Sequence, residues 1–498
     1  MAAPVPMSTL DTFAVWRGSY RTWPEFKEWL QKVETSIEIL EFEGSPYVIL
    51  KSNKDDVTAT GTATGTATAS DKVDGTYVPG SYPLAAQLFR SVVWDTRTNV
   101  PCCVAPFAAR RDQKTPMNTP LRLEDFVEGV MINVFRSACD GSETHVTTRS
   151  RLDADGTFYS DRTFSELFEE AMDSKKVSLN TLEGVMGEPF VALRDNVKTV
   201  SSVFMSLVLA HPEHRVVRSV EKANFWAIYR GVVYDDGMVE FYTDNLPATW
   251  RPKSYGEFNA ASWSELKAKF EEIKASKPWY WQGLVVHGTS QHEPAPRWRF
   301  RNGDHDRVRR ELRGTESNPF GRFLRLRANK RVQEYLRIYS EDSDAFNGFE
   351  RDYRAATKTL YAWYCACHKE HSIVFKSLPK SVQPLVFGLH KTYLEVLRPA
   401  SKSLHLAEVI VWVTEHLKTQ YGVPNLIRLS KDEGANWDAL VASVRSVSSV
   451  PSVPSVPSVP SVPDFSWQLT DGEAARVREA ARVREDIIAS SAPLDRVV

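Results

Sequence analysis

The alternation of apolar and polar residues divides the chain into a strand-rich region and a helix-rich region. Between Leu88 and about residue 302, short apolar runs separated by turns predict β-strands. These runs are FRSVVWD, VEGVMINVF, THVTTRSR, SVFMSLVLA, RVVRSV, FWAIYRGVVY, QGLVVHG and RWRFRN. Two amphipathic stretches, DRTFSELFEEAM and SWSELKAKFEEIKAS, predict helices between them. Clustered strands with intervening helices indicate an α+β domain built around antiparallel sheet.

The residues before this region add a helix and a strand to the same domain. TWPEFKEWLQKVETSIEIL has the apolar spacing of one amphipathic helix, and PYVILKSN has that of a strand. The segment TATGTATGTATAS follows, within an insertion that we place at residues 56–70. Because Thr, Ala and Gly offer little apolar surface to bury, we expect a flexible surface insertion. We assign residues 1–302 to this first domain.

Helical periodicity replaces the strand pattern after residue 303, in RFLRLRANKRVQEYLRIY, FNGFERDYRAATKTLYAWYCACHKEH, SVQPLVFGLHKTYLEVLRP and LHLAEVIVWVTEHLKTQY. We therefore predict an all-α C-terminal domain over residues 303–430. Residues 431–463 form a predicted linker, because five Ser-Val-Pro copies from Ser449 to Pro463 favour an extended, polyproline-like chain. The charged tail, residues 464–498, carries AARVRE twice and is a candidate protein-binding segment.

The composition is that of an ordinary soluble globular protein, with 42% apolar and 25% charged residues. The sequence contains neither a long apolar run nor a basic stretch before an apolar core at its start, so we expect no membrane span and no secretory signal. Five cysteines without framework spacing favour an intracellular protein, in the cytoplasm or nucleus, or a virion component. Cys365, Cys367, His368 and His371 lie in a predicted helix at offsets that do not converge on one face, so we predict no metal site.

Charge is nearly balanced overall, but one stretch is basic. Sixty-two Lys and Arg against sixty-three Asp and Glu give a net charge of −1, so any affinity for nucleic acid must be local. Between residues 297 and 331, twelve basic residues face four acidic ones. The candidate RNA-binding residues there are Arg297, Arg307, Arg309, Arg310, Arg325, Arg327, Lys330 and Arg331. The aromatic residues interleaved with them are Trp298, Phe300, Phe320 and Phe323.

Cations beside aromatic rings can hold a phosphate backbone with unstacked bases, which is why this stretch is a candidate RNA-binding surface. The alternative is a solvated helix whose arginines pair with the acids around them.

The strand-rich runs resemble, in order and approximate spacing, those of the ATP-dependent RNA ligases of the phage tRNA-repair type. The segments that carry the resemblance are FRSVVWD, APF, FVEGVMINVF, HVTTRSRLDADGTFYSDRTFSELF, HPEHRVV, WQGLVVH, RWRFRN, GRFLRLRANKRVQEYLRIY and LHKTYLEVLRP, over roughly residues 35–430. The resemblance implies an antiparallel-sheet nucleotidyltransferase domain, of the ATP-grasp-like ligase kind, followed by an all-α domain that engages RNA. It also implies ATP and Mg²⁺ as candidate cofactors and RNA as a candidate partner.

One motif of that family is changed at its reactive position. The family's Lys-x-Asp-Gly motif supplies the amine that attacks the α-phosphate of ATP and carries AMP as a phosphoramidate. Aligned on Gly129, this chain has Phe126 at the lysine position and Glu128 at the aspartate position. A phenyl ring has no lone pair to act as this nucleophile, so we predict no catalytic residue here. Residues 115–174 contain no lysine, which leaves Lys114, in a Pro-rich loop, as the remote candidate.

The other motifs depart in the same direction. Gln282 stands where the family has a glutamate before Gly283, and an amide adds no charge to neutralise Mg²⁺. Arg299 and Arg301 replace two lysines, and arginine can grip phosphate although it is not equivalent to lysine. Val208 aligns with another family glutamate. The nucleotide-binding residues that the resemblance implies are Arg90, Glu128, Gly129, Arg149, Gln282, Gly283, Arg299 and Arg301, and no metal ligand is assigned.

Three hypotheses follow from the residues and the resemblance together. We favour an RNA-ligase-like protein that has lost adenylyl transfer and binds RNA or a nucleotide as a pseudoenzyme. The second hypothesis is an active ATP-dependent RNA ligase of RNA repair whose nucleophilic lysine lies elsewhere, with Lys114 first. The third is a structural or scaffold protein that retains only the ligase fold and reaches protein partners through its linker and tail.

Overall fold

The computed structural model describes residues 8–32, 37–52, 72–73, 76–77, 89–107, 109, 119–141, 143–187, 199–243, 246–288, 296–417 and 422–432. The predicted insertion at 56–70, nearly all of the linker, the tail and Lys114 lie outside these residues. The chain divides into two compact units, Met1–Ser317 and Asn318–Val498. The division follows Ser317 rather than residue 302, because the first helical turns after residue 302 belong to the first unit.

The first unit contains strands and helices in the alternation that the sequence predicts. Its described strands are β1 Ser8–Leu10, β2 Ile37–Glu41, β3 Tyr47–Ser52, β4 Lys72–Val73, β5 Thr76–Tyr77, β6 Ser91–Asp95, β7 Val100–Val104, β8 Pro120–Asp125, β9 Val130–Ser137, β10 Thr144–Thr147, β11 Val200–Ala210, β12 Asn224–Tyr234, β13 Val239–Tyr242, β14 Ser254–Asn259, β15 Gly283–His287 and β16 Arg297–Arg301. Its described α-helices are α1 Thr12–Ser19, α2 Trp23–Lys32, α3 Phe164–Lys175, α4 Leu179–Met186, α5 Trp263–Ala275 and α6 Gly303–Arg307, which continues into a π-helical turn, Val308–Arg313.

The strands form antiparallel sheets, as the sequence predicts. A six-stranded sheet has the order β1-β13-β12-β11-β9-β10, and two four-stranded sheets have the orders β2-β3-β6-β7 and β14-β8-β15-β16. β4 and β5 pair with each other. The consecutive strands β8 and β9 belong to different sheets, so the short loop between them joins the six-stranded sheet to the β14-β8-β15-β16 sheet.

Both faces of the six-stranded sheet are buried. One face packs against α3 and α4, and the other packs against the β2-β3-β6-β7 sheet together with α1 and α2. Because β11 crosses the middle of this sheet, nearly all of its side chains are buried. A strand covered on both faces needs apolar residues at most successive positions, which explains why SVFMSLVLA is apolar except for Ser202 and Ser206. The β14-β8-β15-β16 sheet packs against α5, and the side chains between them form a separate hydrophobic core.

The structure corrects four details of the predicted elements. TWPEFKEWLQKVETSIEIL is not one helix, since α2 ends at Lys32 and the period-two pattern Ile37-Glu38-Ile39 pairs with β3 as a strand. RVVRSV is not a strand, because the N–H groups of Val217 and Arg218 donate to a carboxylate rather than to a ladder. VPCCV forms the strand β7, and residues 120–125 form the strand β8. Neither segment is among the predicted strand runs.

The second unit is helical in its described part, as predicted. Its α-helices are α7 Pro319–Ala328, α8 Val332–Ile338, α9 Ser343–His368, α10 Gln383–Thr392, α11 Leu406–His416 and α12 Gly422–Asp432. α9 is the central helix and packs against α10, α11 and α12. Cys365, Cys367 and His368 lie in the last turn of α9, as the predicted helix requires. In the described part of the chain, no three His, Cys, Asp or Glu side chains are arranged to hold a metal ion.

Candidate anion-binding site

The loop Phe126-Val127-Glu128-Gly129 fixes the entrance to a cleft between two sheets. The Phe126 N–H donates to the Gly283 carbonyl at 2.9 Å, which ties the loop to the start of β15. Gly129 has φ of +157°, and a Cβ at this position would lie 2.0 Å from the Leu209 carbonyl oxygen. Gly283 has φ of +139°, and a Cβ there would lie equally close to the Phe300 carbonyl oxygen. Only glycine fits at either position, so both predicted glycines shape the backbone of the cleft.

Strand β16 supplies cations to the cleft and aromatic rings to the core. Alternate side chains of a strand point to opposite faces, so Arg297, Arg299 and Arg301 share one face. On the other face, Trp298 is 1% exposed and Phe300 stacks on a tryptophan of α5. The pattern RWRFR therefore places a row of three guanidinium groups along one edge of the β14-β8-β15-β16 sheet.

Arginines from three parts of the first unit converge on this cleft. Its cationic wall consists of Arg90, before β6, Arg149, after β10, and Arg297 and Arg299. The remaining lining is largely apolar and comes from strands of both sheets: Met131, Val208, Ile228 and Val285. The enclosed volume is about 80 Å³.

The arginines repel one another in surroundings that solvate them poorly. Burial lowers the pKa of Arg297 to about 10. Burial also lowers the pKa of Arg299, and the charges of Arg297 and Arg301 lower it further. The Nε–H groups of Arg297 and Arg299 are buried and donate to no acceptor within the described residues. An anion in the cleft would supply both the missing charge and the missing acceptors.

Arg149 lies at the mouth of the same cleft. Its side chain retains solvent contact, but the protein around its guanidinium and then the charge of Arg90 lower its pKa. No hydrogen bond or ion pair holds Arg149 within the residues that the structure describes. This leaves its donors available to a ligand at the entrance.

Phe126 separates the inner arginines from the outer ones. Its half-buried ring lies between Arg299 and Arg301, with each guanidinium carbon 5.0 Å from the ring centroid. These distances are typical of cation–π contacts. On the outer side, Arg301, Arg309 and Arg310 all approach Asp306, so three cations share one carboxylate and the mouth keeps a positive charge.

The carboxylates near the cleft are occupied by protein donors. Glu124 pairs with Arg251 at 3.1 Å, and with Arg122 and His287 at 3.3 Å each. Burial raises the pKa of Glu124, but these partners outweigh it and lower the pKa to about 2. Asp125 accepts hydrogen bonds from the Tyr255 hydroxyl and the Trp281 indole N–H.

Glu128 faces away from the arginine cleft. Its carboxylate accepts the N–H groups of Val217 and Arg218, each at 2.9 Å, and also contacts the buried His305 ring. Gln282 does not line the cleft, and its side-chain oxygen is buried without a partner in the described structure. With every nearby carboxylate engaged in this way, the residues do not fit a Mg²⁺ site.

The structure gathers only part of the predicted nucleotide-binding set. Arg90, Arg149 and Arg299 line the cleft, Arg301 flanks it behind Phe126, and the two glycines shape its backbone. Glu128 makes other contacts, and Gln282 does not line the cleft. Sequence reasoning did not find the apolar lining or Glu124, whose signal was the period-two pattern of β8, which puts Arg122 and Glu124 on the face opposite Leu121 and Leu123.

The predicted RNA-binding residues belong to both units. Arg297 lies in the cleft and Arg307, Arg309 and Arg310 follow β16 in the first unit, whereas Arg325, Arg327, Lys330 and Arg331 belong to the second unit. Several of them pair with acids: Arg327 with Glu350 at 2.9 Å, and Arg331 with Glu334 at 2.7 Å.

Two of the four interleaved aromatic rings are buried, and the other two are partly buried against neighbouring rings. Trp298 and Phe323 are buried in the cores of their respective units, and Phe320 packs on Phe323 and Phe349. Strand alternation directs Trp298 inward and the apolar stripe of α7 directs Phe323 inward, which overrides their proximity to arginines in sequence. The paired-arginine alternative therefore describes much of this stretch.

Comparisons with known proteins find ligase structures that match this chain at low sequence identity and low TM-score. No family model matches the chain, and no curated protein matches its sequence. Two solved structures described as forms 1 and 2 of an archaeal ATP-dependent RNA ligase match 68% of the chain at TM-scores of 0.31 and 0.32, with 11% and 12% identity, over 73% and 77% of their own lengths. A putative ATP-dependent DNA ligase from Aquifex aeolicus matches 85% of this chain and 88% of its own, at a TM-score of 0.32 and 12% identity.

These structural neighbours are ATP-dependent RNA and DNA ligases, but a TM-score near 0.3 assigns neither the fold nor an activity to this chain. The phage tRNA-repair type stays a prediction. Within the described residues, no helix has the length and hydropathy needed to cross a membrane.

Proposed function

We propose that this chain is an RNA-ligase-like protein that binds phosphate groups of nucleic acid or nucleotides in the arginine cleft and does not transfer adenylyl groups. The observation that supports the proposal is the convergence of Arg90, Arg149, Arg297 and Arg299 on one cleft, where the buried Nε–H groups of Arg297 and Arg299 have no acceptor among the described residues. Such a group of cations is costly to maintain without an anion, and phosphate oxygens are the acceptors that guanidinium groups hold best.

The absence of adenylyl transfer rests on what lines the cleft. Among its described lining residues there is no lysine, and Phe126 stands at the position where the resemblance places one. A guanidinium stays protonated and is a poor nucleophile, so the arginines cannot take over that step. ATP phosphates would find donors in the cleft, but the engaged carboxylates supply no metal ligands beside them.

A nucleic-acid partner is supported by the charge at the mouth. Arg301, Arg309 and Arg310 give the entrance a net positive charge around Asp306, and the Arg310 side chain is 66% exposed. Phosphates that follow a bound one along a strand would meet this charge. Binding would then fall with rising salt, because counterions are released from the strand.

Two measurements test this proposal. The full chain is incubated with Mg²⁺ and ATP labelled at the α-phosphate, denatured, and examined for covalent label beside an active ligase. We expect no label. Binding of a 5′-phosphorylated RNA oligonucleotide is then measured by fluorescence anisotropy for the wild type, Arg299→Gln and Arg21→Gln. Loss of a charged hydrogen bond of about 1.5–3 kcal/mol weakens binding about tenfold or more in Arg299→Gln.

The matched control is Arg21, an exposed arginine of the first unit outside the cleft lining, where the same change should leave binding unaltered. A covalent adenylate would instead support the active-ligase hypothesis, and its position would be mapped with Lys114 examined first. An affinity for RNA that depends on neither salt nor Arg299 would favour the scaffold hypothesis.

A further inference from the structure

The position of Phe126 bears on which phosphate compound the cleft accepts. Arg299 and Arg301 are two residues apart on one strand face, so their Cα atoms are separated by roughly 6.6–6.8 Å. The Phe126 ring fills the space between their guanidinium groups, at 5.0 Å from each. A ligand that spanned both arginines would have to displace this ring.

The space behind the ring is small. The cleft encloses about 80 Å³, whereas sites for drug-sized ligands enclose about 300–1,000 Å³. This volume holds a few water-sized groups, which suits the four oxygens of one phosphate group. The apolar lining includes Val208 and Ile228 of the six-stranded sheet and Val285, which lies beside Arg299 on the neighbouring strand, and all three belong to strands with partners on both sides. A lining of this kind moves little, so the cleft gains room mainly if Phe126 moves.

The backbone under Phe126 is held on both sides. Its N–H donates to the Gly283 carbonyl, and Gly129, three residues later, packs directly against the Leu209 carbonyl. The loop is thus fastened to both sheets, and displacement of the ring has to come from its side-chain torsions. Both flanking guanidinium groups attract the ring face, which opposes such rotation.

We infer that Phe126 is a specificity residue that limits the cleft to a single phosphate group, free or at the end of a chain, and excludes the nucleoside part of a nucleotide. This inference rests on the proposed phosphate binding and deepens it. The arginines supply the affinity, and the phenyl ring sets the size of what they can hold.

The test compares three ligands and four proteins by isothermal titration calorimetry on the full chain. The ligands are inorganic phosphate, pyrophosphate and ATP, at constant ionic strength. The proteins are the wild type, Phe126→Ala, Phe126→Val and Phe42→Ala. Phe42 is a half-buried phenylalanine that packs on the core beside β2 and lies outside the cleft lining, so it reports the loss of a phenyl ring elsewhere.

We expect the wild type to bind phosphate at least tenfold more tightly than ATP. Phe126→Ala should bind ATP at least tenfold more tightly than the wild type while its phosphate affinity changes less than threefold. Phe126→Val should lie between them, which keeps the test available if the alanine variant does not fold. Phe42→Ala should match the wild type.

Equal ATP affinity in the wild type and the Phe126 variants, with phosphate bound by all, would overturn this inference and leave the proposed function intact. No anion binding by any protein would overturn both. RNA oligonucleotides with a 5′-phosphate, a 3′-phosphate or neither then separate the sources of the ligand. If a phosphorylated RNA oligonucleotide binds more tightly than inorganic phosphate, the ligand of the cleft is a terminal phosphate of RNA. If the two bind equally, the ligand is free phosphate. An unphosphorylated strand that binds equally well and competes for the cleft would contradict a single-phosphate site.

Discussion

Replacement of Arg299 by methionine should stabilise the ligand-free protein and weaken its stabilisation by anions. Arg299 has Arg297 and Arg301 two residues away on either side, at strand spacings of roughly 6.6–6.8 Å. The ring between Arg299 and Arg301 separates that pair of charges by up to about 10 Å, so with an effective dielectric constant of about 20 the two pairs repel by about 1.7–2.5 kcal/mol each. Removal of Arg299 relieves two of these repulsions and the desolvation of its own charge. It also removes the contact with Phe126, worth roughly 0.5–2 kcal/mol.

Solvent around the half-buried guanidinium screens these repulsions, so the expected net gain in the free energy of unfolding is about 1–2 kcal/mol. For a unit of this size such a gain raises Tm by a few degrees. Pyrophosphate at one hundred times its Kd for the wild type should stabilise the wild type by about 2.7 kcal/mol but a variant that binds tenfold more weakly by only about 1.4 kcal/mol, so the stability advantage of the variant shrinks by about 1.3 kcal/mol when ligand is added.

The assay is urea denaturation monitored by tryptophan fluorescence, with and without pyrophosphate at matched ionic strength. Arg21→Met controls for the loss of an arginine from the surface of the same unit and should change neither stability nor the response to ligand. A less stable Arg299→Met protein in the absence of anions would refute the electrostatic reasoning. An undiminished response to pyrophosphate in that variant would refute the placement of the anion.

Two further predictions concern residues that support the cleft. At a pH above 4.5, the ordinary pKa of a glutamate, Glu124 is charged in both the folded and the unfolded protein, and its ion pairs stabilise the folded state. This stabilisation is lost as the pH falls from about 4.5 through about 2, the pKa of Glu124 in the folded protein. Glu124→Gln should therefore cost about 3 kcal/mol at pH 7 and flatten the acid limb of an unfolding curve measured between pH 5 and 2, whereas an unchanged limb would contradict the assignment. Gly129→Ala places a Cβ against the Leu209 carbonyl at positive φ and should cost roughly 3 kcal/mol in thermal unfolding. The same change at Gly184, a helical position with open space around it, should be neutral or stabilising, and equal effects at the two glycines would argue against the close approach.

Local patterns in the sequence determined most of the elements and the identity of the key loop. The period-two run RWRFR defines a strand with arginines on one face, and the mostly apolar run SVFMSLVLA defines a strand covered on both faces. The helical spacing of residues 343–368 defines α9. The need for glycine at residues 129 and 283 was also visible, although its cause was not. These features depend on residues close in sequence, which is why periodicity and turn chemistry reveal them.

Only the tertiary structure decided which side chains meet. β8 and β9 are consecutive, yet sheet pairing places them in different sheets and so opens the cleft between them. Glu128 is turned to His305 and to two backbone N–H groups, a set of partners from distant parts of the chain. The basic stretch is divided between two units, and its aromatic rings go to two cores. Burial is settled by the whole set of non-local contacts, so a stretch that is basic and aromatic in sequence becomes a row of arginines in one place and a packed core in another.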